Sequence, residues 1–368
     1  MFLLISRRDT ISPVLAKIEV KISWSSLGVI QKFSAILKCG VSSFDFQGLI
    51  MQGNNAQSIQ INSVGQMAVI DLGSNSFQML LVEVLGGRIV EIARFREKIQ
   101  LAAGLDVNSN LQETVLHRAY QCLRGFAEHL VGIECSNIRI VGTDALRRAV
   151  NRKQFVDNAA GLLGAPVQII SGEEEAKLIY RGAIASVDQP ELVSLVMDIG
   201  GGSTELAVGQ GSDVIAQASI ALGCVDYTRR FFSEQKTDQQ QFLRVVRLMR
   251  QTLGLLPEEI RVGQWQQAIG TSGTIASIER VLVTNEWCPK GISKAGLMRL
   301  VSHICSGRPI DELDIKGISA DRADIFIAGV AITLALFEEL DLQYLKTSPQ
   351  ALKEGLIYAM LDDIWLWF

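Results

Sequence analysis

Two short segments place an aspartate, glycines and hydroxyl side chains where a chain must turn sharply: D-L-G-S-N-S from Asp71 and D-I-G-G-G-S-T-E from Asp198. Small residues let the backbone turn tightly and bring its N–H groups up to an anion, for which phosphate is the natural guest. The candidate phosphate ligands are Gly73, Ser74, Asn75 and Ser76 in the first turn, and Gly200, Gly201, Gly202, Ser203 and Thr204 in the second. Either turn alone reads as an ordinary hairpin. The pair does not, because one offset of 127 residues carries Asp71 to Asp198, Gly73 to Gly200 and Ser76 to Ser203. Asp198 and Glu205 flank the second turn and could converge on one hard cation, best Mg²⁺, which takes oxygen ligands and keeps water. The plainer alternative is two strand-end carboxylates facing solvent.

A third segment, I-I-S-G-E-E-E-A-K-L, runs as a strand, breaks at Ser171-Gly172 and enters a helix. Glu173, Glu174 and Glu175 then lie in the first turn, where acids ordinarily just complement the helix dipole. Three adjacent carboxylates also repel one another, so one that points into a cleft would have the raised pKa of a general base. These residue types do not say which of the three it is. In G-T-D-A-L-R-R-A-V-N-R-K, another strand leads into a helix and gathers Arg147, Arg148, Arg152 and Lys153. Arginine suits bidentate phosphate contact, and Arg147 stands nearest the strand end. The remaining three read equally well as a solvated face. A-I-G-T-S-G-T-I repeats the strand, tight turn and helix, and is weak evidence alone; a P-loop G-x-x-x-x-G-K-[ST] is absent.

Elements must hold these turns in place. The segment from Ala68 reads as an apolar strand, a polar tip and a second apolar strand, and the same unit returns near residue 194. One repeat with a domain-sized period implies two duplicated α/β domains with a cleft between their tips, not a solenoid. Helical periodicity over 112–131 and 239–256, with strand-like 138–141 and 167–170, completes the alternation. Residues 323–337 read as a buried helix and 348–365 as a terminal helix starting near Pro349, with Trp365, Trp367 and Phe368 docking in an apolar seam. The expected division is 1–66 as extension and linker, 67–186 as domain I, and 187–368 as domain II, with the C-terminal helix packing back on domain I. The Gln/Asn/Ser-rich run 52–66 reads as linker, and Met51 and Met67 are both alternative starts.

Composition narrows the function classes. A chain of 368 residues with 48% hydrophobic and 20% charged residues can bury two ordinary domains. A formal net charge of −4 gives no global basic field, so a polyanion must be held by a local cluster and nucleic acid is not an expected partner. Six cysteines without a C-x-x-C pair fit neither a disulfide framework nor a zinc site, and point to a reducing cytoplasm. The three histidines come with no H-E-x-x-H or G-x-S-x-G, so zinc hydrolysis and serine-triad chemistry lack their parts. Lys21, Lys32, Lys38 and Asp45 interrupt the N-terminal apolar stretches, so no membrane span is expected. A homodimer is compatible with all of this.

Taken together, I-D-L-G-S-N-S-F, G-T-D-A-L-R, I-I-S-G-E-E-E-A, M-D-I-G-G-G-S-T-E-L, L-G-C-V and G-T-S-G-T resemble, in order, the exopolyphosphatase/guanosine pentaphosphate phosphohydrolase (Ppx/GppA) family over about residues 67–362. The resemblance implies duplicated actin-like domains of the ribonuclease H-like, sugar kinase and heat-shock ATPase superfamily. It implies Glu175, the glutamate before the alanine, as general base and Arg147 as a phosphate ligand. It also implies Asp198 and Glu205 as the acids needed for Mg²⁺, and the two turns as phosphate loops. The expected activity is release of the terminal phosphate of polyphosphate, with pppGpp 5′-phosphohydrolysis as the alternative. An actin-like small-molecule kinase and a catalytically silent polyphosphate or alarmone sensor are the more distant readings. Glu173 departs from relatives that carry asparagine there, residues 1–66 have no counterpart in the pattern, and the C-terminal helical domains of longer members are missing.

Overall fold

The computed structural model describes residues 65–85 and 88–365; the run 1–64, where most of the extension and linker reading falls, and Trp367 and Phe368 lie outside the described residues. β1 (Gly65–Leu72) and β2 (Ser76–Leu85) form the first hairpin, with Leu72 opposite Phe77 at its closed end. β1 starts at Gly65, whose pairing with Val84 takes two residues from the expected linker. Then follow β3 (Arg88–Lys98), α1 (Glu113–His129), β4 (Ile138–Gly142), α2 (Asp144–Arg148), α3 (Arg152–Leu163), β5 (Val167–Ile169) and α4 (Gly172–Ile184). The second half contains β6 (Ser194–Ile199), β7 (Thr204–Gln210), β8 (Asp213–Ile220), α5 (Cys224–Phe231), α6 (Gln239–Leu253), α7 (Glu258–Arg261), β9 (Gln267–Thr271) and α8 (Ser272–Thr284). It ends with β10 (Ile292–Ser293), α9 (Lys294–Ile304), α10 (Ala323–Glu339), β11 (Tyr344–Thr347) and α11 (Leu352–Trp365).

Strand order carries the duplication inferred from the paired turns. The first sheet runs β3-β2-β1-β4-β5 and the second β8-β7-β6-β9-β11-β10. In each, a three-strand meander is followed by two strands parallel to its first member: β4 and β5 beside β1, β9 and β11 beside β6. Parallel neighbours require crossover helices, and these cover the sheets. The corresponding turn therefore emerges from the same edge of each sheet, which is what lets two hairpin tips meet.

α10 is apolar all round and buried from Ile325 to Phe337, and it packs against α5 and α6. α4 buries one face, Glu175, Ala176, Ile179, Tyr180 and Ala183 among it, against β7, β8 and α11. α11 also packs on β1. α4 and α11 cross backbone to backbone: a Cβ on Gly355 would collide with the Leu178 carbonyl, and one on Gly182 with the Ala351 carbonyl. The terminal helix begins at Leu352, not near Pro349, because Ser348 Oγ accepts from Gln350 N and Glu354 Oε2 from Ala351 N, which satisfies the entry as a turn. The G-T-S-G-T segment has no separate turn at all. β9 passes directly into α8 through Ser272 at φ 91°, a left-handed conformation that serine adopts under strain.

Candidate active site

The two hairpin tips touch. A Cβ on Gly201 would lie 3.1 Å from Ser74 Cβ and 3.2 Å from Asn75 Cβ, so a larger residue there would push the lobes apart. The carbonyl side of each tip is tied down. Gly200 O and Gly201 O accept from Cys224 N (3.0 Å) and Val225 N (2.9 Å) at the start of α5. Ser74 O accepts from Ala102 N (2.9 Å), and Asn75 O from Gln100 N (2.8 Å). Among the described residues, the N–H groups of Ser74, Asn75, Gly201, Gly202 and Ser203 donate to no protein acceptor. Both polar atoms of the buried Asn75 amide also lack a partner. Ser74 Oγ accepts from Ala145 N (3.1 Å), Ser76 Oγ from Arg96 (3.4 Å), and Thr204 Oγ1 donates to Leu222 O. Buried donors left open in this way form a cradle for an anion.

Four carboxylates stand behind the cradle. Asp198 on β6 and Glu205 on β7 are directly opposed in the antiparallel register, so their side chains share one face. Glu205 Oε1 accepts from Ser219 Oγ (2.8 Å) and Asp198 Oδ2 from Thr271 Oγ1 (3.3 Å). Asp71, on β1, has Oδ1 buried with no partner. Burial pushes Asp71 up to about 6, with the negative charge of Asp198 adding to it and Lys353 opposing it. Asp198 is likewise pushed up to about 6 by burial. Glu205 rises to about 7, chiefly by burial, with Asp198 adding to it and the Ser203 and Ser219 hydroxyls opposing it. Asp71 and Glu205 are buried and Asp198 is partly so, and the Asp198 charge disfavours ionisation of the other two.

The fourth carboxylate is Glu175. In the E-E-E run, Glu173 and Glu174 are exposed and Glu175 is 7% exposed, because the Ser171 cap starts the helix so that its third glutamate faces β7. Arg147 Nη1 donates to Glu175 Oε2 at 2.7 Å and to Ile170 O at 3.2 Å, while Arg147 Nη2 lies 4.0 Å from Glu205. Burial first, and then the Glu205 charge, raise Glu175 well above the ordinary carboxylate range, against the pull of Arg147. A carboxylate raised in this way is a stronger base than a solvated one. A cavity of about 570 Å³ opens beside this pair, lined by Arg147, Ser171, Glu173, Ser203, Gln217 and Ser219 among others.

The basic segment does not stay together as its spacing suggested. The chain breaks between α2 and α3, so Arg148 pairs with Asp144 (2.9 Å) and Asp226 (2.7 Å), and Arg152 donates to the Arg147 carbonyl (2.9 Å). Lys153 pairs with Asp157 one turn along a solvated face, its side chain 88% exposed. Three groups at the site were not among the expected site residues. Asp71 had one available signal, its place as the repeat counterpart of Asp198. Arg322, at the start of α10, lies against Gly273, with burial and the Arg96 charge lowering its pKa. Lys353 comes from α11, far along the chain. His117 and His129 sit on the exposed face of α1, His129 stacked on Phe95.

Asp71, Asp198 and Glu205 together offer only hard oxygen donors, one of them orphaned. Among the described residues no group of three or more His, Cys, Asp or Glu side chains is placed to hold a metal ion. An ion that takes one or two carboxylates and completes its shell with water and substrate phosphate needs none, and this donor set fits Mg²⁺.

Comparison with known structures bears on the whole arrangement. An exopolyphosphatase from Cytophaga hutchinsonii aligns with a TM-score of 0.72 at 24% identity, over 81% of this chain and 98% of that one. The Ppx-GppA enzyme of Aquifex aeolicus aligns with a TM-score of 0.67 at 23% identity, over 80% of this chain and 99% of that one. The class is thus a two-lobed α/β protein whose duplicated hairpin tips meet at a carboxylate–arginine centre. A model of the Ppx/GppA phosphatase family matches residues 63–364; the chain belongs to that family and is a phosphoric anhydride hydrolase.

Proposed function

We propose that this chain is a Mg²⁺-dependent exopolyphosphatase that releases orthophosphate from the end of an inorganic phosphate chain. The observation that carries the reading is the part-buried Arg147–Glu175 pair, 2.7 Å apart, beside two loops of unpaired N–H groups. The terminal phosphoryl group lodges between Gly73–Ser76 and Gly200–Thr204, with Arg147 on its oxygens. As the guanidinium turns to the phosphate, Glu175 is freed to take a proton from a water aligned with the anhydride bond. The water oxygen forms the new P–O bond, the bridging P–O bond breaks, and the electron pair leaves on the shortened chain. Arg147 stabilises the charge that develops on the equatorial oxygens. Asp198 and Glu205 would hold Mg²⁺, and the ion when bound would spread the phosphoryl charge.

A guanosine pentaphosphate presents the same reactive end and is the alternative substrate. Two observations favour the inorganic chain. None of the residues lining the cavity beside Arg147 is aromatic, so it offers a nucleobase no stacking platform. One of the structures aligned above is itself an exopolyphosphatase. The five described cysteines are all free, which suits a cytoplasmic enzyme. Phosphate release by malachite green, from polyphosphate, pppGpp and ATP offered separately with and without Mg²⁺, tests the reading. Release from polyphosphate only with Mg²⁺ is expected. Faster release from pppGpp at equal phosphoanhydride ends would reverse the substrate assignment.

A further inference from the structure

The terminal helix does more than close the core. Lys353, in the first turn of α11, is 6% exposed. Its Nζ donates to Gln78 Oε1 at 2.8 Å, and among the described residues it forms no ion pair. Its neighbour Glu354 is engaged elsewhere, by Arg94 (2.7 Å) and by the Ala351 N–H. A buried ammonium with one hydrogen bond out of three donors is costly unless some field offsets it.

The negative charges that offset it are Glu354 first, then Asp71 and Asp198. Gln78 stands directly opposite Asp71 across the β1–β2 hairpin, so both side chains occupy one face, the face on which Lys353 Nζ reaches Gln78 and its charge acts on Asp71. Asp71 Oδ1 is buried without a partner. The Lys353 charge acts on Asp71 and on Asp198 alike. The glycine crossing of α11 on α4 sets the depth of this lysine, since Gly355 lies two residues beyond it against Leu178.

We propose that Lys353 is a positioning residue, the resident counter-charge of the Asp71–Asp198 pair, holding the two carboxylates together before a divalent ion arrives and moderating how tightly that ion is held. The inference rests on the Mg²⁺ reading above. An ammonium beside a cation site repels the cation, so its removal must tighten Mg²⁺ binding, whereas damage to packing would loosen it.

Thermal unfolding of the full chain, titrated with MgCl₂ in the absence of substrate, tests this in wild type, Lys353→Met and Lys353→Arg. Lys353→Met is expected to bind Mg²⁺ about tenfold more tightly than wild type, with a larger Mg²⁺-induced rise in Tm. Lys353→Arg should keep the wild-type titration. Equal or weaker Mg²⁺ affinity in Lys353→Met overturns the proposal. If that variant does not fold, Lys353→Gln takes its place. Failure of both neutral variants to fold even in saturating Mg²⁺ overturns it too, since the ion should replace the lost charge. A wild-type protein that does not respond to Mg²⁺ overturns both this inference and the metal reading, and leaves the phosphate-release assay to judge the hydrolase reading separately.

Discussion

At the scale of single residues, the site is a problem in holding charge without water. In the proposed role of general base, Glu175 must be ionised to accept a proton, and burial and Glu205 both resist that, while Arg147 at 2.7 Å favours it. Glu175→Gln keeps the shape and the arginine contact but removes the base. It should lower kcat by roughly a hundredfold or more with little change in KM, which steady-state phosphate release would show. The same burial dictates an unusual pH response in the metal-free protein. Asp71 and Asp198 near 6 and Glu205 near 7 hold protons in the folded state that the unfolded chain has already lost above the ordinary carboxylate range. Stability from these groups is complete below about pH 4 and is lost as pH rises through 6 to 7. In EDTA the Tm should therefore fall between pH 5 and 8, and Glu205→Gln should flatten the fall. A Tm that rises across this window in wild type would contradict the protonated cluster.

At the scale of elements, what was legible followed from local chemistry. Both hairpins were readable because an apolar strand, a glycine–hydroxyl tip and an apolar return strand are coded within one short stretch, twice over. Position within the glutamate run was not readable from residue types, since which of Glu173, Glu174 and Glu175 turns inward depends on β7 packing across α4. The split between α2 and α3, which takes Lys153 away from the site, and the passage of β9 into α8 through Ser272 are likewise set by tertiary contacts that no local pattern encodes. The α4–α11 crossing is the extreme case, because Gly182 and Gly355 are 173 positions apart and each makes sense only against the other's helix. That dependence can be measured. Gly355→Ala puts a methyl group into the Leu178 carbonyl, so although alanine favours helix, the variant should lose roughly 1–3 kcal/mol, the usual cost of overpacking. A Tm at or above wild type would mean that the two helices part without cost.

At the scale of the whole molecule, the proposed exopolyphosphatase activity raises the question of how long a phosphate chain would stay bound after each cut. A polyanion is held by cations that have no other partner, and the cationic side chains around the cleft are largely committed. Arg148 is paired with Asp144 and Asp226, Arg96 with Asp321 at 3.0 Å, and Lys98 with Asp324 at 2.8 Å. The pairs to Asp226, Asp321 and Asp324 join the first half of the chain to the second, so freeing them for substrate would also cost contacts between the lobes. Grip therefore concentrates on the terminal phosphate, at the two loops and Arg147, and that phosphate is the one removed at each turnover. With few remaining contacts, release of the shortened chain competes with the next hydrolysis, and the residual electrostatic attraction is weakened further by salt. The enzyme should act distributively, prefer short polyphosphates, and become more distributive as ionic strength rises. Gel electrophoresis of a long polyphosphate at partial conversion reads this directly: a downward-moving ladder of all intermediate lengths is expected. Full-length chains coexisting only with the shortest products would show that the chain is gripped well beyond its end, and that the ion pairs across the cleft yield to it.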